Sequence, residues 1–125
     1  MATLHRVVLP VSNIERATSF YRAMLSTEGT RISPGRHAFS CGGASVVCYD
    51  PRAEGGVMDA APNAEHVYFA VADLDAAFAR ARAAGCREIE SQVRTRTNGE
   101  RSFYARDPFG NPICFVDAKT AASAE

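Results

Sequence analysis

The strongest constraint on the fold of this chain is an internal repeat at an offset of sixty positions. Residues 6–14 (RVVLPVSNI) fall on residues 66–74 (HVYFAVADL), and each segment is an apolar, strand-like run that ends in a polar and then an apolar residue. A helical pattern follows both runs, because apolar residues recur there at intervals of three and four. Such a repeat predicts two copies of one supersecondary unit.

The ends of the two copies also match, at an offset of sixty-six. Residues 46–49 (VVCY) fall on residues 112–115 (PICF), and Gly42-Gly43 occupies roughly the place of a turn over residues 107–111 (DPFGN). Asp-Pro opens such a turn, since proline presets φ and the aspartate bonds back to the backbone. Each copy is therefore expected to be a βαβββ module, which makes the predicted fold α+β with two tandem modules.

The module boundaries follow from the same comparison. We predict module 1 over about residues 4–50, module 2 over about residues 65–118, and a linker over residues 51–64, which is rich in proline and glycine. The tail, residues 119–125, is small and polar, so we expect it to be frayed.

Several local signals refine the module pattern. Ser12 and Glu15 resemble a capping box at the start of the first helix, and Asp73 is placed to cap the second. Gly85 is expected to end the second helix in the left-handed region. Asn98-Gly99 predicts a hairpin turn within module 2.

Composition narrows the classes of function. The chain has 125 residues, with 14 Lys and Arg against 14 Asp and Glu, so no bulk charge attracts nucleic acid or an anionic membrane. It has no apolar run long enough to span a bilayer and no signal-peptide pattern, so we expect a cytoplasmic location. The four cysteines stand singly, which predicts thiols in a reducing compartment.

The combination of motifs resembles a known family. Residues 8–17 (VLPVSNIERA), Phe20-Tyr21, His66-Val67 and residues 107–112 (DPFGNP) are similar to the vicinal oxygen chelate superfamily, which includes glyoxalase I, extradiol dioxygenases and bleomycin resistance proteins. The resemblance implies that the strands of both modules curl around a cavity. It also implies a homodimer in which both chains often line that cavity.

Strand alternation predicts which side chains face the cavity. We expect Val7, Leu9 and Val11 to pack on a helix, and Arg6 and Val8 to face the cavity. The same reasoning applied to the other strands completes the predicted ligand-binding set, which is Arg6, Val8, Val46, Cys48, His66, Tyr68, Ser102, Tyr104 and Cys114.

The resemblance also implies four places for metal ligands, and these fall on Arg6, Cys48, His66 and Cys114. A guanidinium cannot bind a metal, and a hard divalent ion would find no carboxylate among the four residues. We therefore expect no cofactor. The alternative is a zinc site made by Cys48, His66 and Cys114 with one open position. The two cysteines could also be apolar packing residues or reactive thiols.

Other polar residues have two interpretations each. His66 is a candidate general acid or base, or a histidine that only bonds Tyr68 or a water. Arg6 either forms an ion pair with Asp50 or another carboxylate, or captures an anionic ligand. Arg94, Arg96 and Arg101 surround Asn98-Gly99 and are typical of a solvated hairpin, with a weaker indication of an anion gate.

These observations favour a homodimer that binds a small organic molecule without the usual metal, and they predict neither a nucleic-acid nor a membrane partner. The alternative is a metal-dependent lyase or dioxygenase of glyoxalase type that uses His66 and cysteine thiolates. A third interpretation is a purely structural protein whose cavity is filled.

Overall fold

The computed structural model describes residues 1–122 and contains two compact units. The first unit is Met1–Asn63, and the second begins at Ala64. Each unit consists of one mixed β-sheet with one long helix, so the predicted α+β class and the tandem modules are observed. Neither helix is long and apolar enough to cross a membrane among the residues described.

The first unit has the predicted βαβββ order. Its elements are β1 (Arg6–Pro10), α1 (Ile14–Leu25), β2 (Thr30–Ser33), β3 (Arg36–Cys41) and β4 (Ala44–Tyr49). The strand order in the sheet is β1-β4-β3-β2. β1 runs parallel to β4, and the other pairs are antiparallel.

The second unit follows the same plan with one strand divided in two. The sheet order is β5-β9-β8-β6, and β7 also pairs with β8. Its elements are β5 (Val67–Val71), α2 (Leu74–Ala83), β6 (Glu88–Ile89), β7 (Arg94–Thr95), β8 (Arg101–Arg106) and β9 (Pro112–Asp117). The interruption begins at Glu90, because its carboxylate, rather than a backbone carbonyl, accepts the N–H of Tyr104 at 2.7 Å.

The helix caps follow the sequence signals with one correction. Asn13, and not Ser12, is the N-cap of α1, since its extended backbone lets Asn13 Oδ1 accept the N–H of Arg16 at 3.0 Å. Asp73 caps α2 as predicted by accepting the N–H of Ala76. Gly85 follows that helix with φ +88°, as expected of a left-handed terminating glycine.

Each sheet buries one face against its own helix. In the first unit, Tyr21 of α1 lies 6.4 Å from the ring of Phe39 on β3. In the second, Phe78 of α2 contacts Phe103 on β8 at 5.1 Å, and Phe103 stacks on Phe115 at 5.3 Å. Burial of these aromatic rings stabilises each unit. We call this side of each sheet the helix face and the opposite side the open face.

The turn between β8 and β9 is a buried hydrogen-bonded structure. Asp107 Oδ1 accepts the N–H groups of Phe109 at 2.9 Å and Asn111 at 2.8 Å, and Asp107 Oδ2 accepts a hydrogen from the Asn111 amide at 2.9 Å. Gly110 adopts φ +92°, which the turn requires and which a side chain would strain. Asp107 and Asn111 are fully buried, so the motif fixes how β8 enters β9.

The segments outside the strands are tied down by side chains. Within the predicted linker, the Glu54 carboxylate bonds the hydroxyl of Ser33 and contacts Arg36. In the predicted tail, Thr120 Oγ1 accepts the N–H of Arg101 at 3.0 Å, and Glu100 Oε2 accepts the N–H of Ala122 at 2.7 Å. The expectation of a frayed tail is therefore wrong for residues 119–122, and residues 123–125 lie outside the described part of the chain.

Candidate functional site

The strand register of the second unit assigns the predicted residues to one face. Tyr68, Cys114 and Tyr104 are lateral neighbours on β5, β9 and β8, and Ser102 is paired with Val116 one step along the sheet. Lateral neighbours share a face, and the alternate residues, which include Phe103 and Phe115, form the helix face. The prediction that Tyr68, Ser102, Tyr104 and Cys114 share a face is therefore confirmed.

The register of the first unit corrects two predicted positions. Val46 pairs with Val7 and Cys48 pairs with Leu9, so Val46 and Cys48 lie on the helix face. Val8 pairs instead with Val47, which shares its open face. The prediction that Val46 and Cys48 face the same side as Arg6 and Val8 is wrong.

The physical reason is a difference of one residue between the two hairpins. Phe39 pairs with Val46 across six intervening residues, whereas Ala105 pairs with Ile113 across seven. In β4, the sequence match at an offset of sixty-six therefore differs by one residue from the match that the structure gives. A slip of one residue moves every side chain of a strand to the other face.

Three rings cluster on the open face of the second unit. His66 lies 4.9 Å from Tyr104 in an edge-to-face arrangement and 6.0 Å from Tyr68. Tyr68 and Tyr104 are themselves edge to face at 6.3 Å. We call His66, Tyr68 and Tyr104 the ring cluster. Tyr68 is 59% exposed, so the ring cluster presents aromatic surface to solvent.

An ion pair supports the ring cluster from the side. Both guanidinium amino groups of Arg96 donate to the Glu90 carboxylate, and Arg96 Nε donates to Ser102 Oγ at 2.8 Å. The guanidinium carbon lies 4.7 Å from the centre of the Tyr104 ring. A cation held over a ring in this way is favourable and fixes the orientation of the tyrosine.

Electrostatics keep the polar groups of this face in defined protonation states. A hydrogen bond with Tyr68, together with burial, raises the pKa of Tyr104 to about 12. Burial also raises the pKa of the Cys114 thiol to about 11. Both groups stay protonated at neutral pH, so Tyr104 is a hydrogen-bond donor and Cys114 is not a reactive thiolate.

The ring cluster stands between two grooves of the same face. One groove has a volume of about 450 Å³ and is bordered by His66, Tyr104, Glu88, Glu90 and Arg106. The other has a volume of about 320 Å³ and is bordered mainly by apolar groups, including Ala70 and Val116. Their lining residues place the first groove at the His66 end of the strands and the second at the Ala70 end.

Arg6 is not the buried arginine that the predicted ion pair requires. Its side chain is exposed and one amino group lies 3.1 Å from His5 Nε2. Asp50 instead accepts the N–H groups of Arg52 and Ala53 in the turn that follows β4. Within residues 1–122 no ion pair joins Arg6 to Asp50, so the predicted structural pair is wrong.

Comparison with known proteins identifies the family to which the chain belongs. The family model of the Glyoxalase/Bleomycin resistance protein/Dioxygenase superfamily matches residues 3–115. The chain belongs to this superfamily. This result confirms the resemblance seen in the motifs, and no curated protein sequence matches the chain.

Solved structures of the superfamily share the fold. A glyoxalase/bleomycin resistance protein from Albidiferax ferrireducens is 23% identical, with a TM-score of 0.78 over 93% of this chain and 98% of that chain. A glyoxalase-related enzyme from Fulvimarina pelagi is 14% identical, with a TM-score of 0.78 over 99% and 94%. A lactoylglutathione lyase from Agrobacterium tumefaciens is 22% identical, with a TM-score of 0.71 over 95% and 96%. At these identities the likeness extends to the fold alone.

The residues of this superfamily member do not fit the metal that the family implies. The register removes Cys48 from the open face and leaves Val47 in its place, while Arg6 is a guanidinium. His66 and Cys114 are then the remaining donors of the four predicted places. Among the described residues no group of three or more His, Cys, Asp or Glu side chains is arranged to hold a metal ion. Cys48, one member of the alternative zinc set of Cys48, His66 and Cys114, lies on the helix face of its own sheet.

Sequence reasoning missed the residues that organise this face. Arg96 is not part of a solvated hairpin, since its side chain is only 24% exposed and is paired with Glu90. Glu90 was not singled out at all. The signal for Glu90 in the sequence is its position. It lies where the strand alternation fails, six residues before Arg96, which precedes the Asn98-Gly99 turn.

Proposed function

We propose that this superfamily member binds a small organic molecule on the open face of its second unit, without a resident divalent metal. The observation that carries the proposal is the ring cluster, whose His66 and Tyr104 border a groove of about 450 Å³ and whose Tyr68 borders a groove of about 320 Å³. Grooves of this size with aromatic walls and a few fixed polar groups are the usual form of small-molecule sites.

The polar groups of the site are preorganised, which supports a binding role. Arg96 is held by Glu90 and Ser102 before any ligand arrives, and it fixes Tyr104. A site that is already ordered spends less conformational entropy on binding. His66 borders the groove and contacts both tyrosine rings, so it is placed to contact a ligand and is our candidate for any acid–base role.

Independence from metal is the second part of the proposal. Its support is the chemistry of the four ligand places, which on the observed register offer one imidazole and one thiol whose pKa is raised. Hard divalent ions prefer carboxylate and carbonyl oxygens, and zinc prefers deprotonated sulfur.

We further propose a symmetric homodimer in a reducing, cytoplasmic setting, with neither nucleic acid nor membrane as a partner. The open face of the first unit carries an exposed apolar side chain, Val8 at 41%, which a second copy could cover. All four cysteines are thiols rather than disulfides. Sedimentation analysis at micromolar concentration should give twice the mass of the chain, and a monomer would contradict the dimer.

The binding role is tested with a library of small aromatic fragments detected by saturation-transfer NMR. We expect several fragments to bind, and to bind equally before and after treatment of the protein with a chelator. The Tyr68→Ala variant should lose at least about tenfold in affinity, because the exposed ring is part of the binding surface.

The matched control is Val57→Ala, which removes an exposed apolar side chain from the first unit at a position outside its sheet. Fragment affinity should be unchanged in this variant. Binding that disappears with the chelator and returns with zinc or manganese would refute the metal-free proposal, and a library without any binder would refute the binding role.

A further inference from the structure

The charged side chains that border the groove beside the ring cluster are already paired. Among the residues described, they are Glu88, Glu90 and Arg106. Arg106 Nε lies 3.3 Å from Glu88 Oε2, and Glu90 is bonded to Arg96 just behind Tyr104. The wall of the groove and its supporting arginine therefore balance to zero formal charge.

The cationic groups are also engaged with the backbone or with other side chains. Arg106 donates through a second nitrogen to the carbonyl of Gly110 at 3.0 Å, and Arg96 donates to the carbonyl and the hydroxyl of Ser102. Arg94 is a second, half-exposed partner of Glu90 at 3.3 Å. Although desolvation opposes ionisation, the bonds from Arg96 and from the Tyr104 N–H hold the pKa of Glu90 below its ordinary value.

A ligand with a formal charge would have to break one of these arrangements. An anion would meet the carboxylates of Glu88 and Glu90 and would have to displace Glu88 from Arg106. A cation would have to compete with Arg96 for Glu90. Either ligand would also lose part of its hydration without gaining an unengaged charged partner, which is mildly unfavourable at this partly exposed site.

The ring cluster offers what an uncharged aromatic molecule needs. Its rings already interact edge to face, and a further flat ring can pack against the exposed Tyr68 in the same way. His66 also borders the groove, and a neutral imidazole has one nitrogen that donates and one that accepts a hydrogen bond.

The second groove extends the apolar surface on the other side of Tyr68. The charged residue at its border is Glu100, whose carboxylate accepts hydrogens from the Asn98 amide at 3.1 Å and from the Ala122 N–H. The side chains of Ala70 and Val116 supply hydrocarbon there. The face therefore suits a ring system at Tyr68 with a small polar group directed towards His66 and Tyr104.

We infer that the ligand of this site is an uncharged aromatic molecule with one hydrogen-bonding group, such as an alcohol, phenol or carbonyl. The inference rests on the proposed binding role and adds the chemical class of the ligand. It is carried by the pairing of the charges around the first groove and by the ring cluster, of which His66 and Tyr104 border the first groove and Tyr68 borders the second.

The test uses three probes that share one ring system and differ in the charge of the head group: naphthylmethanol, naphthoate and naphthylmethylammonium. Affinities are measured by calorimetry at about pH 8, where an ordinary histidine is neutral. We expect naphthylmethanol to bind about threefold more tightly than either charged probe, since each of those has to compete with an ion pair that is partly exposed to solvent.

A charge-removing variant sharpens the result. Glu88→Gln releases Arg106 and removes one carboxylate from the groove, so naphthoate should gain about fivefold in affinity while naphthylmethanol changes little. Glu15→Gln on α1 is the matched control, and it should alter no probe. Glu88 and Glu15 are both exposed in their ion pairs, so both variants should fold.

The outcomes separate this inference from the binding role on which it rests. Tighter binding of naphthoate or naphthylmethylammonium than of naphthylmethanol would overturn the inference and leave the binding role standing. Absence of binding for all three probes, with correctly folded protein, would overturn the inference, and the fragment library then decides the binding role.

Discussion

The open faces of the two units are built on the same frame and carry different chemistry. In the first unit, Arg36 lies over the ring of Tyr49 at 4.6 Å and is anchored by Glu54. In the second unit, Arg96 lies over Tyr104 at 4.7 Å, but there the tyrosine belongs to a cluster of three rings beside a groove. The frame therefore comes from the repeat, whereas the candidate site comes from residues that the repeat does not share.

The two cysteines that match in sequence illustrate this most clearly. Cys48 lies on the helix face of its sheet, and Cys114 lies on the open face of its own. One additional residue in the β8–β9 hairpin accounts for the difference. A comparison of repeats must therefore be made strand by strand, because turn length decides which face a side chain occupies.

The largest effect is expected from the two hairpin turns. Asp107→Ala removes a buried carboxylate that bonds two backbone N–H groups and the Asn111 amide, and it should lower the free energy of unfolding by about 3 kcal/mol. Gly43→Ala, in the corresponding turn at φ +93° with no neighbour near the added carbon, should cost about 1 kcal/mol. Chemical denaturation gives both values. Equal losses of unfolding free energy in the two variants would contradict the prediction that the β8–β9 turn contributes more to stability than the Gly42-Gly43 turn.

The two matched cysteines should respond differently to the same change. Cys48→Ser places a hydroxyl on the helix face beside Leu9 and should cost about 2 kcal/mol. Cys114→Ser lies near the Ser102 hydroxyl, which already bonds the Cys114 thiol, so its cost should be about 0.5 kcal/mol. A larger loss at Cys114 than at Cys48, measured by urea denaturation, would contradict the assignment of faces.

The Glu90–Arg96 pair should make the second unit sensitive to acid. The pKa of Glu90 is lowered in the folded protein, because hydrogen bonds from Arg96 and from the Tyr104 N–H outweigh the opposing effect of burial. Its contribution, about 1 kcal/mol at neutral pH, is present above the ordinary glutamate pKa and is lost as pH falls through the lower folded value.

The measurement compares Glu90→Gln with the parent protein by urea denaturation at several pH values. The difference in the free energy of unfolding should be full at neutral pH and should shrink below about pH 4, where glutamates begin to protonate. Glu65→Gln, at an exposed position of the same unit, is the control and should stay within about 0.5 kcal/mol throughout. A difference that persists unchanged in acid would show that the charge of Glu90 is not what stabilises the site.

The smallest effect is expected when each arginine over a tyrosine is replaced by lysine. Arg96→Lys loses the two-nitrogen contact with Glu90 and the flat contact with Tyr104, so affinity for naphthylmethanol should fall about threefold. Arg36→Lys makes the same change over Tyr49 and should leave that affinity unaltered. Calorimetric titration of both variants decides the point, and equal losses would remove the distinction between the two faces.

Much of the fold was predictable from the sequence because it depends on local patterns. The alternation of β1 and β5, the cap at Asp73 and the turn glycines each follow from residues close together in the chain. The wrong cap at Ser12 is a displacement of one residue, since Asn13 offers the same kind of side-chain acceptor.

The site was less predictable because its organisation depends on contacts between separate strands. The position of Cys48 depends on the length of a turn, and the pairing of Arg96 with Glu90 depends on how the chain returns between β6 and β7. No pattern of spacing indicates that Arg96 covers Tyr104. The aromatic residues themselves, His66, Tyr68 and Tyr104, were identified because strand alternation alone puts them on one face.

The most direct test of the central claim is a map of where an aromatic ligand binds. Isotope-labelled protein is titrated with naphthylmethanol, and backbone chemical shifts are followed by heteronuclear NMR. The account predicts the largest changes around Tyr68, Tyr104 and His66, with weaker changes around Val8 and Tyr49 on the open face of the first unit. Changes that are largest at Val8 and Tyr49, or that spread evenly over both units, would contradict it.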